Sequence, residues 1–222
     1  MPTAKSGYKL KNGTKVPGVT TILGRFKESG ALMYWACEQG KAIERGEISS
    51  MYDKRDSAAD AGTLAHLMVE KHINWEPEPD LISYPKETAK AARQGYENYL
   101  RWESDNKITV VKQEMQMVSE KYIFGGCPDA IGIDSRGQRC LLDWKTSSGI
   151  YIDYLCQCGA YRILWEENHP ELPINGGIHV LRFSKESADF HHHFFLELSE
   201  AEEMFLLLLR AYQLDKILKK RL

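Results

Sequence analysis

The chemistry-bearing residues of this chain concentrate in two short runs, Gly126-Cys127-Pro128-Asp129 and Leu141-Leu142-Asp143-Trp144-Lys145. On an extended strand, residues two apart share a face. Asp143 and Lys145 therefore project together and Trp144 projects the other way. The apolar pair before Asp143 puts the charges where a strand leaves the core. A turn at Ser135 to Gln138 lies between the runs, so a hairpin can bring Asp129 near Asp143, in a register that the residues leave open. Paired carboxylates at a strand end suit a hard divalent cation such as Mg²⁺, held by oxygen ligands and waters. A lysine beside them can hold water and neutralise charge on a phosphate. Repulsion from the metal would lower its pKa and suit it to proton transfer. An isolated Asp-x-Lys is better explained by an ion pair on an exposed strand.

Further residues join this pair. Glu114 lies upstream on an expected strand and can face the same point. His66 and Glu70, four apart, share one helix face, and Gly62 lets that helix approach closely. Imidazole suits Mn²⁺ or a similar ion, although a lone histidine here is better read as a core or capping residue. Gln157 and Tyr161 are again four apart, on the helix that follows the Asp-x-Lys strand. They can contact phosphates or the lysine, or form a polar stripe against water.

The elements that must position these residues follow from periodicity and turn chemistry. Tyr8, Leu10, Asn12-Gly13, Val16 and Val19 predict a hairpin over 7–20. A short helix from Thr20 and Thr21 should end at Gly24. Helices are expected over Ala31–Arg45, with Gly46 as a stop, and over Arg55–His72 and Thr88–Lys107. The last carries a stripe of Ala92, Tyr96, Tyr99 and Glu103. The prolines at 77, 79 and 85 make Trp75–Pro85 a loop. Strands follow over Ile108–Val118 and Tyr122–Ile133, with a bend or bulge at Gly125-Gly126, and over Arg139–Thr146. A helix over Ile152–Asn168 is closed by Pro170 and Pro173. Strands at Gly177–Phe183 and Phe190–Leu198 precede a last helix from Ser199 toward Leu222. Its early glutamates and late lysines suit the helix dipole. The fold class is α/β (α+β), a central mixed sheet flanked by helices. The 222 residues are expected to form one domain: 1–107 a mainly helical cover over the site, 108–198 the sheet, and 199–222 a C-terminal helix.

Composition excludes several classes. Hydrophobic residues make up 43% and charged residues 27%, so disorder is not the default state. The 29 basic and 31 acidic residues nearly cancel, which argues against a broad basic coat but not against a local basic groove. Five cysteines without a CxxC pair do not make a secreted disulfide framework. The opening residues lack a signal-like apolar run, and Met204–Leu209 is far shorter than the ~18 residues of a membrane span. A cytoplasmic location is expected. That apolar run, hydrophobic all round, should be buried in the core or at a subunit contact. His191-His192-His193 reads as an edge or half-exposed strand rather than a metal site. Tyr34, Trp35, Tyr84, Tyr96, Tyr99 and Trp102 could stack on bases, but at helical spacing most belong to a core. Lys216, Lys219, Lys220 and Arg221 form a solvated helix end.

GTLAH (62–66), GGCPD (125–129), LLDWKTS (141–147) and QCGAY (157–161), in this order, resemble the PD-(D/E)XK nuclease superfamily. More narrowly they resemble its RecB-type nuclease domains, which include phage exonucleases, CRISPR adaptation nucleases and the mitochondrial genome maintenance exonuclease. VPGVTTIL (16–23) and LMYWACEQG (32–40) extend the likeness, which spans roughly residues 16 to 165. The resemblance implies a restriction-endonuclease-like core with an N-terminal helical cover. It implies one or two Mg²⁺ or Mn²⁺ ions held by His66, Asp129, Asp143 and the Trp144 carbonyl, with Lys145 as the catalytic lysine. Gln157 and Tyr161 would support the site or the DNA, and Glu114 would be an accessory acid. Some relatives hold a [4Fe–4S] cluster through one early and three late cysteines. Here the last is Cys158, so no cluster is expected, and Cys127, Cys140, Cys156 and Cys158 should be small buried residues. The implied activity is a DNA exonuclease on single-stranded ends, of bacterial or phage origin, in repair or recombination. A recombination or replication protein would be its candidate partner. The alternatives are an endonuclease on structured or double-stranded DNA, and a silent DNA-binding subunit.

Overall fold

The computed structural model describes residues 7–27, 30–47, 53–183 and 189–222, and within its helices no side chain is described at 30–32, 35 or 53–60. Trp35 thus lies outside the described side chains. The elements run β1 (Tyr8–Lys9), β2 (Lys15–Val16), α1 (Val19–Phe26), α2 (Gly30–Glu44), α3 (Asp53–Ile73), α4 (Lys86–Asn106), β3 (Thr109–Gln113), β4 (Met117–Ser119), β5 (Phe124–Gly126), β6 (Ala130–Ile133), β7 (Arg139–Thr146), α5 (Ile152–Asn168), β8 (Ile178–Phe183), β9 (Phe190–Phe195) and α6 (Ser199–Lys219). The central sheet has the order β3-β6-β7-β8-β9. β7 and β8 are parallel, joined across α5, and the other neighbours are antiparallel. A mixed five-stranded sheet between helices is compatible with a restriction-endonuclease-like core.

β7 is covered on both faces. Leu141 joins Ile131, Val180, Leu164, Phe205 and Ile22 in one apolar cluster, under α1, α5 and α6. Cys140, Leu142 and Trp144 join Leu64, Met68, Tyr99 and Trp102 in the other, under α3 and α4. The helical cover expected over 1–107 is therefore divided. α1 packs with α5 and α6, whereas α3 and α4 lie on the opposite face. α1 also runs through Gly24, because Val19 and Ile22 anchor it in the core while a side chain at Gly24 would meet only open space.

The two long strands expected over 108–133 are each split. Glu114 takes a left-handed conformation at φ 45° and ends β3. Cys127-Pro128 separates β5 from β6, and β4 pairs with β5 in a small sheet of its own. That sheet is tied to the N-terminal hairpin by the Gly125 N–H, which donates to the Pro17 carbonyl at 2.9 Å. The Tyr8 ring packs so closely on Gly125 that a side chain there would displace it. The β6–β7 turn is closed by Asp134, whose Oδ1 accepts the N–H groups of Arg136 and Gln138, both at 2.9 Å. Gly137 supplies the positive φ, 78°, that the turn requires.

α6 is not buried all round. Phe205 and Leu209 enter the core, but Met204 and Leu207 are exposed, because the helix packs through one face. Its charges follow the dipole, with Glu200 and Glu202 in the first turn and Lys216 and Lys219 in the last. β9 is an edge strand, and its His192 Nε2 lies 2.9 Å from His179 Nδ1 on β8, with the rings parallel. Trp102 sets its edge against both imidazoles. All five cysteines are free thiols; Cys140, Cys156 and Cys158 are buried as expected, while Cys127 is only half-buried. Among the described residues, no helix is long and apolar enough to cross a membrane.

Burial pushes His179 down to about 4, with His192 adding to the shift. A histidine depressed below its unfolded value binds fewer protons when folded. Its stabilising contribution is present above pH ~6.5 and is lost as pH falls toward 4. Urea midpoints should therefore fall between pH 7 and pH 4.5, with His179 accounting for up to about 3 kcal/mol. His179→Phe should flatten that slope; an unchanged slope would remove His179 as its cause.

Candidate active site

The register of the central hairpin sets the two aspartates. Ala130 pairs with Leu142, so Asp129 stands one step further on, opposite Asp143. β6 has ended there, which leaves the Trp144 N–H without a strand partner. The Asp129 Oδ2 accepts it at 2.8 Å. In an extended strand a residue's N–H and C=O point to the same side, so the Trp144 carbonyl also faces the Asp129 edge. Lys145, on the same face as Asp143, forms an ion pair with it. Asp143 is 0% exposed, Lys145 3% and Asp129 9%. Apart from that ion pair, neither Asp143 oxygen nor the Lys145 ammonium has a hydrogen-bond partner of good geometry among the described residues.

Electrostatics follow from burial. Burial pushes the Asp143 carboxyl up, to about 7, against the pull of Lys145, and Asp129 adds to the rise. Burial opposes the charge on Lys145 too, but Asp143 and Asp129 outweigh it and hold its pKa above the ordinary lysine value. From the protein's own charges, then, the shift of Lys145 is opposite to the lowering expected beside a metal. The Cys158 thiol, wholly buried on α5, faces the Asp143 carboxylate, and burial raises it well above its ordinary value.

α3 brings His66 to the other side of β7, where its ring stands edge-on to Trp144, 6.4 Å between centroids. Burial lowers the His66 pKa, and Asp129 partly offsets this. His66, Glu70, Gln113, Glu114, Asp129 and Trp144 line a cavity of about 10 Å³, close to the least that admits a water. Burial, then Glu70 and Asp129, raise the Glu114 carboxyl. His66, Glu70, Glu114 and Asp129 are thus brought together, while Asp143 and Lys145 lie on the α5 side of the strand. Gly62 permits this approach, since a side chain there would fall on the Thr146 methyl group, well inside van der Waals contact.

Gln157 and Tyr161 are buried on α5 and bonded to each other, Nε2 to hydroxyl, at 2.7 Å. The Tyr161 ring packs where a side chain at Gly126 would stand. Two neighbours escaped the sequence reading. One is Cys158, taken there only as a small buried residue. The other is Tyr154, whose ring centroid lies 5.2 Å from the Lys145 Nζ. Extending the Gln157–Tyr161 stripe backward by three residues would have found Tyr154. Of the rings proposed from helical spacing, Tyr96, Tyr99 and Trp102 are core residues and Tyr84 packs against that core, whereas Tyr34 is exposed.

A divalent cation fits this donor set. By register Asp129 and Asp143 come opposite each other at a strand end, and among the described residues the buried Asp143 oxygens have no hydrogen-bond partner beyond the ion pair with Lys145. Among the described residues no three His, Cys, Asp or Glu side chains converge as a ready cage. Two carboxylates with waters completing the shell is a usual manner of holding Mg²⁺.

No family model and no curated protein matches the chain. Among solved structures, it is similar to a protein of Eubacterium rectale provisionally named an exonuclease, at 13% identity and a TM-score of 0.44. The match covers 66% of this chain and 64% of that one, so the chain spans under two thirds of its length. It is also similar to the protein SSO0001, at 14% identity and a TM-score of 0.32, over 68% of this chain and 74% of that one.

Two outcomes test the geometry. Gly62→Ala should cost about 1–3 kcal/mol in urea unfolding through overpacking against Thr146, and Thr146→Gly in the same chain should recover part of it. An unaffected Gly62→Ala protein would mean that α3 does not press on β7. Lys145→Ala should cost about 3–5 kcal/mol, because it strands the buried Asp143. Asp143→Leu with Lys145→Met should restore most of the stability, and a double variant as unstable as Lys145→Ala would count against the ion pair.

Proposed function

We propose that this chain is a divalent-metal-dependent DNA exonuclease that hydrolyses phosphodiester bonds from single-stranded ends. The observation that carries the reading is the buried Asp129–Asp143–Lys145 group, aligned by strand register at the end of β6, in which the Asp143 oxygens have, among the described residues, no partner beyond Lys145. Asp129 and Asp143 would hold Mg²⁺ or Mn²⁺, with the Trp144 carbonyl on the same edge and His66 approaching from α3. The bound ion would supply Lewis acidity toward the scissile phosphate. Lys145, held charged by its carboxylate neighbours, would neutralise charge on a phosphate oxygen and orient the attacking water through its N–H groups. Gln157 and Tyr161, bonded to each other, would keep α5 seated against the strand. Exclusion of bulk water around Asp143 strengthens each of these interactions.

A second reading, a catalytically silent DNA-binding subunit, draws on the closure of Asp143 and Lys145 on one another. Titration calorimetry with Mn²⁺ separates the two, since a silent site has no need to bind the ion.

The deciding experiment incubates the protein with 5′- and 3′-labelled single- and double-stranded DNA in Mg²⁺, Mn²⁺ or EDTA. A stepwise ladder is expected with metal and none with EDTA, and circular single strands should stay intact. Asp129→Asn keeps an acceptor for the Trp144 N–H and should lower the rate on the order of a hundredfold or more. Cleavage indifferent to both EDTA and Asp129→Asn would end this assignment.

A further inference from the structure

A cavity of about 270 Å³ opens directly beside Lys145 and is lined by Thr63, His66, Trp144, Lys145, Thr146 and Tyr154. We propose that this cavity is the subsite for one unpaired nucleoside of the substrate strand, with the Tyr154 ring as its stacking wall. The inference rests on the nuclease reading and deepens it, by naming the substrate unit and the residue that receives it.

Six observations carry it. The space lies just below the ~300 Å³ at which drug-sized pockets begin, which suits a single nucleoside and excludes a base pair. Tyr154 is half-buried, so part of it stays open to the cavity that it lines. Its ring approaches the Lys145 ammonium at 5.2 Å, so a base on that ring places its own phosphate within reach of the lysine. Thr63, exposed on α3, and Thr146 offer hydroxyls across the cavity for base edges or sugar. Outside the lining, Lys27 pairs at 2.9 Å with Asp153, the chain neighbour of Tyr154 in the first turn of α5, and would supply a cation for the following phosphate. Tyr151, half-exposed, braces Tyr154 edge-on at 5.4 Å. Stacking on an aromatic face is sequence-tolerant and demands an unpaired base.

The test uses single-stranded oligonucleotides carrying 2-aminopurine near one end, with Ca²⁺ replacing Mg²⁺ to slow turnover, followed by cleavage in Mg²⁺. Wild-type protein should quench the probe. Tyr154→Leu should lose the quenching and bind roughly 5- to 100-fold more weakly, while Tyr154→Phe restores most of both. Thr63→Trp, at an exposed helix position, fills the same space and should weaken binding without touching Tyr154. Wild-type protein that cleaves DNA, with Tyr154→Leu and Thr63→Trp both binding and quenching as wild type, overturns the subsite alone. Wild-type protein that neither binds nor cleaves any DNA overturns the nuclease reading beneath it.

Discussion

A carboxylate and an ammonium lie side by side in the interior of this protein, on the central strand of its sheet. The attraction between Asp143 and Lys145 is strong because little water reaches it, and for the same reason each would be costly alone. Much of the surrounding architecture serves to surround the pair. α5 brings Cys158, Gln157 and Tyr161 against one face, α3 and α4 seal the other, and Asp129 enters from the end of β6. Apolar residues of similar volume would stabilise such a core at least as well. A charged pair kept at this depth is therefore poorly accounted for by stability alone.

The strand that carries the pair joins two modes of sheet construction. On one side β7 pairs antiparallel with β6 through a tight turn, and on the other parallel with β8 across α5. The first brings two aspartates opposite each other, and the second delivers a helix onto the face where Lys145 projects. The even-numbered residues of β7 point to α3 and α4, so His66 meets Trp144 and Asp129 rather than Asp143. The chemistry is thus spread around a strand end and not confined to one face.

Much of this arrangement was legible in the residues. Asp143 and Lys145 share a face by the period of a strand, and β7 and α5 span the expected residues. The close approach of α3 was readable at Gly62 because only a residue without a side chain tolerates contact with Thr146. What escaped depended on tertiary context. The left-handed Glu114 divides an apparently continuous strand, and nothing in its type announces that conformation. α1 deserted the helical cover because Val19 and Ile22 find their partners on α5 and α6. His192 was read as one of three edge histidines, but its partner His179 lies on another strand, which no local pattern reveals.

The turn from Asp134 to Gln138 is far from any reacting group, yet it works as a ruler for them. Its closure on the Asp134 carboxylate sets how many residues separate the two sides of the hairpin. A one-residue slip would carry Asp129 to the opposite face of the sheet and leave Asp143 facing its neighbour, Pro128 or Ala130. The length of this solvent-facing loop is accordingly as much a part of the candidate site as the carboxylates it brings opposite each other.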